Sequence, residues 1–444
     1  MKKIEITNVL VEDNTVHYRV IEEAGTGLLR KDSVDLFIRF HSSEEMSFDL
    51  KSVPQSILLL PLSLYILPIT YFYNVELVIP EMDKVLFENL PSIYEAYSKI
   101  YGPFKESWRG KVTVQKVVEN KPVESSLYDK IVFFSGGVDA CHAGINNPGK
   151  KSLLVSIPDI EANAKNDGPL REEKFSLIKN FSNVVDSDWF LISNNFNVSL
   201  FKDAEIYAFL RSSRHLCSSA FEFDGWGGIK YMANMCSVAP IAYHFGIQEL
   251  IMGSSFEQIE DKLLLNYDGA NPELTDTILF VNTHFGEQEG LMVRRSKKVV
   301  DIIEWCKAHN ITTKLWACFQ DGDIQCGFCM KCVRTQLNIL CAGENPRDWG
   351  FDNFSEKELT DYVKSYCYRE SNPCWLWDNI ESIQDNKKYQ YCNDLLHWLK
   401  KIGYKKYTRR ANMRTLPGKL KRILNIEKYP HYIKMLYIKL TRDK

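Results

Sequence analysis

The chain has 444 residues, 45% of them hydrophobic and 25% charged. These are ordinary globular values, and with no low-complexity tract or internal repeat they leave room for two or three domains. The formal net charge is only −2, and twelve cysteines, four of them within Cys318–Cys332, read as a metal site plus scattered free thiols and not as a disulfide framework.

The start, "MKKIEITNVLVED", passes from two lysines into alternating strand-like residues. It lacks the apolar stretch of a secretory signal, so a cytoplasmic protein is expected. "VHYRVIEE" and "VDLFIRF" alternate as strands do, and "MDKVLFENLPSIYEAYSKIY" has helical spacing of apolar residues. Between them, Ser56–Tyr73 is uncharged and near the lower limit for a membrane span, but Pro61 and Pro68 would interrupt it. A buried core segment is the expectation. Residues 1–125 are thus read as an accessory α+β domain ending in the polar stretch "VVENKPVESSLYD".

From Lys130 the pattern changes. The runs "KIVFF", "SLLVSI", "WFLIS", "ELIMGS" and "TILFVNT" alternate with amphipathic stretches such as "LREEKFSLIKNF" and "YMANMCSVAPIAYHFG". That order implies an α/β domain over 126–345 with a parallel sheet, and ligands bind beyond the carboxyl ends of such strands. The first run leads into Ser135, Gly136, Gly137, Val138 and Asp139. Two glycines let backbone N–H groups approach an anion, a helix beginning near Val138 would point its positive end there, and Ser135 adds a hydroxyl. A carboxylate repels phosphate, so Asp139 is read as meeting Mg2+ carried by a nucleotide. An ordinary Gly-Gly turn is the bland alternative.

Further on, "GLMVRRSKKVVDII" sets Arg294, Arg295, Lys297 and Lys298 at a helix start, as phosphate ligands or as a solvated basic face. His142, one turn past the loop, is read as a partly exposed structural histidine, with nucleotide contact as the alternative. "LRSSRHLCSS" and "GWGG" resemble a substrate lid, though loop composition alone explains them. Cys318, Cys326, Cys329 and Cys332 have the spacing C-x7-C-x2-C-x2-C, which suits a closed tetrahedral Zn2+ site. A ferredoxin-type run would place another cysteine where Gln336 stands, so zinc is expected before iron–sulfur. Gly327 would turn the knuckle, and Lys331 and Arg334 would offset the thiolate charge.

After 345 a helical region is expected, ending in a basic tail. From His397 to Lys444 there are fifteen Lys and Arg against Glu427 and Asp443, or +13, so the remainder carries −15. The tail fits RNA, an anionic membrane surface, or the acidic body of its own or a second subunit, as in a homodimer.

"FFSGGVDA" resembles the PP-loop of the ATP pyrophosphatase superfamily, usually Ser-Gly-Gly-x-Asp-Ser. The resemblance implies an adenine-nucleotide α-hydrolase-like fold and cleavage of ATP to AMP and pyrophosphate with adenylation of an acceptor oxygen. It implies phosphate binding by Ser135, Gly136, Gly137 and Asp139, with Ser135 and Asp139 as the catalytic pair. It fails at Ala140. One hydrogen bond to a charged group is worth about 1.5–3 kcal/mol, so a weakened or altered site is implied. A nucleotide-binding scaffold without chemistry is the competing reading. "LWACF" and "CGFCMKCVR" resemble the closing motif of 7-cyano-7-deazaguanine synthases, over residues 128–342. That family's Arg-Asn and Asp-x-Ser-Gly-Tyr-Pro-Asp segments are replaced by "GWGGIKYMAN" and "GSSFEQIEDKLLLNYDG", which implies a different acceptor, a small molecule or a peptide. Relatives of that kind include a PP-loop epimerase of a muramyl peptide and synthase-like proteins of antiviral operons that modify a protein partner.

Overall fold

Short apolar runs separated by crossovers pair in parallel, and the runs at Lys130, Ser152, Asp188 and Glu249 do so. The computed structural model describes residues 2–23, 27–30, 35–43, 46–101, 106–124, 127–158, 172–212, 226–254, 257–259, 262–264, 271–318, 325–368 and 373–412. The chain divides into two compact units, Met1–Val293 with Asp301–Trp316, and Arg294–Val300 with Ala317–Lys444.

The first unit is α/β. Its strands are β1 (Lys2–Glu12), β2 (Thr15–Glu22), β3 (Leu36–Ser42), β4 (Val75–Asp83), β5 (Lys111–Val118), β6 (Lys130–Phe133) and β7 (Ser152–Ser156). They continue with β8 (Asp188–Asn194), β9 (Glu249–Ile251), β10 (Glu257–Ile259), β11 (Lys262–Leu264), β12 (Leu279–Phe280) and β13 (Thr283–Phe285). Eleven of these form one sheet in the order β12-β13-β9-β6-β7-β8-β3-β2-β1-β4-β5, while β10 and β11 pair as a separate ribbon. The segment from β13 to β8 is parallel throughout.

β3 adds antiparallel to β8, pairing Ile38 with Asn194 and Ser42 with Phe190. Through it the N-terminal strands extend the same sheet. The boundary read at 125 marks a change in strand style, and the compact units divide the chain elsewhere. A second difference concerns "TILFVNT", read as one strand. It is a tight hairpin, because Val281 turns the chain at φ +51°, with its N–H donating to the buried Asp83 carboxylate at 3.0 Å.

The proline-containing apolar segment is helical over Leu60–Phe72 and entirely buried. Pro61 sits in the first turn, where its missing N–H costs nothing, and Pro68 lies inside the helix without ending it. Burial on every side holds the helix through Pro68. Among the described residues no helix is long and apolar enough to cross a membrane.

The chain passes from β6 to β7 to β8 on one side, then returns to β9 on the other side of β6. That reversal makes the carboxyl ends of β6 and β9 the border of a switch-point crevice. The second unit is helical in its described residues, with helices Met330–Ala342, Glu356–Lys364, Pro373–Glu381 and Asn393–Ile402.

Candidate functional site

β6 ends at Phe133, and the chain turns through Ser135, Gly136 and Gly137 into the helix Val138–Asn146. Gly136 has φ +81°. Its carbonyl accepts from the Trp316 N–H at 2.6 Å and from the Cys141 thiol at 3.5 Å. A Cβ at Gly136 would overlap Leu177 and crowd Trp316, so the turn is both left-handed and closely packed. Gly137 caps the helix in extended conformation and has no side chain to bind the amides of the first turn; its own N–H meets Ser135 Oγ at 3.4 Å. Ser135 is exposed and Asp139 half-buried. An exposed hydroxyl beside a helix N-terminus at a switch point is chemically suited to an anion.

Two features of this site were not legible in the sequence. Gly253, two residues past β9, lies against the Asp139 carbonyl so closely that any Cβ would overlap it. The backbone after β9 thus braces the first turn of the loop helix. Its only sequence signal is a glycine directly after a strand. The other is His142, which was expected to be partly exposed and is in fact buried, its side chain 5% accessible. Nε2 lies 3.5 Å from Asp301 Oδ2 and Nδ1 lies 3.9 Å from Glu289 Oε1. Asn146 Nδ2 donates to the same Glu289 oxygen at 2.9 Å. The histidine is enclosed because the helix face that carries it packs inward, one turn from the core residue Val138.

In the second unit Arg295 begins the helix Arg295–Ala308, as the sequence implied. The four basic residues are not one solvated face. Arg294 and Lys297 are exposed, but Arg295 is 4% accessible and Lys298 is fully buried. Asp378 takes the helix N-terminus, accepting from Ser296 N at 2.9 Å and Ser296 Oγ at 2.6 Å. Burial raises the Asp378 pKa, opposed by those hydrogen bonds and by the charges of Arg294 and Arg295. A carboxylate therefore caps the start of this helix.

The cysteine cluster assembles. The sulfurs of Cys318, Cys326, Cys329 and Cys332 all lie within 4.8 Å of one another, and this is the only such group of His, Cys, Asp or Glu among the described residues. Backbone amides turn toward the sulfurs: Cys326 N to Cys318 Sγ at 3.4 Å, Cys329 N to Cys326 Sγ at 3.2 Å, and Cys332 N to Cys329 Sγ at 3.5 Å. Gly327 has φ +78°, and its carbonyl accepts from Gln336 Nε2 at 2.8 Å. The Cys332 thiol is pushed far up, first by its hydrogen bond with Cys329 and then by burial. Crowded thiols of this kind suit a cation that replaces their protons, and four sulfurs with amide support can hold a metal such as zinc. Arg334 is buried, 3% accessible, and stacks 3.8 Å over Trp375.

The lid-like stretch 210–219 lies mostly outside the described residues, as does Gly225, and so does the tail from 413. Compared with known proteins, the chain matches no family model, no curated protein and no solved structure.

Proposed function

We propose that this chain is an ATP-dependent activating enzyme of the PP-loop kind, converting ATP to AMP and pyrophosphate while adenylating a carboxylate or carbonyl oxygen. The observation that carries the reading is the position of the Ser135–Asp139 turn. It lies at the carboxyl end of β6, where strand order reverses, with a helix N-terminus behind it. Gly136 and Gly137 bring backbone close to the anion, Ser135 donates a hydroxyl, and Asp139 faces the substrate's Mg2+. The adenylate would supply a good leaving group on the acceptor oxygen. Ala140 favours a second reading, a nucleotide-binding scaffold without turnover, because the loop lacks one hydroxyl that its resemblance calls for.

The metal cluster has a structural part in this proposal, since protein supplies all four ligand positions. The deciding experiment incubates the full chain with Mg2+ and α-labelled ATP, with cell extract as the source of acceptor. The activating reading expects labelled AMP, lost in Asp139→Asn. ATP retained without AMP in any condition assigns the scaffold. Failure to bind ATP at all sinks both.

A further inference from the structure

The second unit carries a concentrated run of positive charge. From His397 to Asn412 the sequence holds Lys400, Lys401, Lys405, Lys406, Arg409 and Arg410 and no Asp or Glu. The helix Asn393–Ile402 buries Leu395, Leu396 and Leu399 and stops at Gly403. Residues 404–412 are helical again, with Tyr407 and Ala411 inward and Tyr407 OH donating to the Val363 carbonyl at 2.8 Å. The apolar sides of both segments are therefore used, and Lys401, Lys405, Lys406, Arg409 and Arg410 are exposed. Lys400 pairs with Glu381 at 3.6 Å. Among the described residues no carboxylate oxygen lies within 4.0 Å of the other five cations.

Aromatic rings stand beside these charges. Trp398 and Tyr366, both half-buried, have centroids 5.9 Å apart. Arg410 lies 5.7 Å over the Tyr366 ring and donates to its hydroxyl at 2.6 Å, and the Lys364 ammonium is 6.0 Å from the Trp398 ring. Five cations without a carboxylate partner among the described residues, on the same segment as half-buried aromatic rings, match what single-stranded nucleic acid requires, since cations track phosphates and rings stack on bases. A membrane-surface helix needs its apolar side free. Here that side is buried, and none of the exposed large hydrophobics among the described residues falls within 393–412. An acidic protein surface would satisfy the cations but leave the rings unused.

We propose that Lys401, Lys405, Lys406, Arg409 and Arg410, with Trp398 and Tyr366, form a binding surface for single-stranded nucleic acid. This surface is independent of the nucleotide chemistry proposed above. The test is fluorescence anisotropy of labelled oligo(U) and oligo(dT), about twenty nucleotides long, with the full chain. Five neutralised phosphates give a salt slope of about −3.5, or roughly a hundred-fold loss of affinity between about 50 and 200 mM salt. The variant K401Q/K405Q/K406Q/R409Q, altered only at exposed positions, is expected to melt as the parent does, to bind at least ten-fold more weakly at about 50 mM salt, and to flatten the slope by about 2.8. Trp398→Leu is expected to weaken binding about ten-fold with the slope unchanged. Equal affinity for both oligonucleotides assigns backbone and stacking recognition, and preference for oligo(U) adds the 2′-hydroxyl. Unchanged anisotropy with the parent chain overturns the proposal, as does a quadruple variant that binds like the parent. Retention on phosphatidylserine vesicles, or salt-sensitive self-association, while oligonucleotides are ignored also overturns it.

Discussion

At Gly136 two demands coincide, a left-handed backbone and a neighbour where a side chain would go. They separate by comparison with Gly149, at φ +99° with nothing within 4 Å of a built Cβ. Gly149→Ala is expected to cost about 1–2 kcal/mol, the left-handed penalty alone. Gly136→Ala adds overpacking against Leu177 and Trp316 of about 1–3 kcal/mol. Urea midpoints of the two variants measure the difference, and equal shifts would mean the loop is not packed as described. At the next position but three, Ala140→Ser supplies the hydroxyl that the PP-loop resemblance calls for. It should tighten ATP binding about ten-fold or more in calorimetry, from one added hydrogen bond to a charged group. The loop and the four cysteines were legible because their chemistry is carried by near neighbours in sequence. The partners of His142 were not, since Glu289 and Asp301 approach it from more than a hundred residues away. Gly253 acquires meaning only once β9 lies beside β6.

Elements followed local pattern wherever burial agreed with it, and departed where a distant group decided. Val281 could not be read as a turn residue, because the carboxylate that holds it belongs to Asp83, at the end of β4. The helix Arg295–Ala308 was anticipated from its spacing, but its cap comes from Asp378 on another helix. This cap has a pH signature. Burial raises the folded pKa of Asp378 above its unfolded value near about 3.9. Its contribution to stability is therefore fully present below that unfolded value and is lost as pH rises through the folded one. Asp378→Asn keeps an acceptor for the Ser296 N–H and a donor for its hydroxyl, and does not ionise. Thermal melts from mild acid to neutrality should show the variant gaining on the parent chain as pH rises. A variant that loses ground to the parent chain as pH rises would contradict the burial-driven shift. Asp378→Ala removes both acceptors and should cost about 1–2 kcal/mol at the acid end of that range and less toward neutrality.

For the whole molecule, the sequence showed a change of style near 125 but not that β3 would pair with β8 across it. Non-local pairing leaves no mark on either strand alone. The division that matters for stability is between the sheet unit and the cysteine-bearing unit, each with its own buried residues. Structural zinc contributes about 10–16 kcal/mol in small zinc-dependent folds, as much as or more than the roughly 5–15 kcal/mol that holds an ordinary domain folded. Losing the metal should therefore unfold the second unit, while the sheet unit, whose described residues hold no such cluster, keeps its core. One zinc per chain is expected by metal analysis, and iron with acid-labile sulfide would replace zinc by a cluster. Hydrogen exchange then separates the units in Cys329→Ser or in chelated protein. The amides of Leu337 and Ile339, buried in the helix that follows the knuckle, should lose protection by several orders of magnitude. Those of Val132 and Leu154, paired in β6 and β7, should keep theirs. Loss at both places together would show that the metal holds the entire chain, and protection retained at both would remove it from the account of stability.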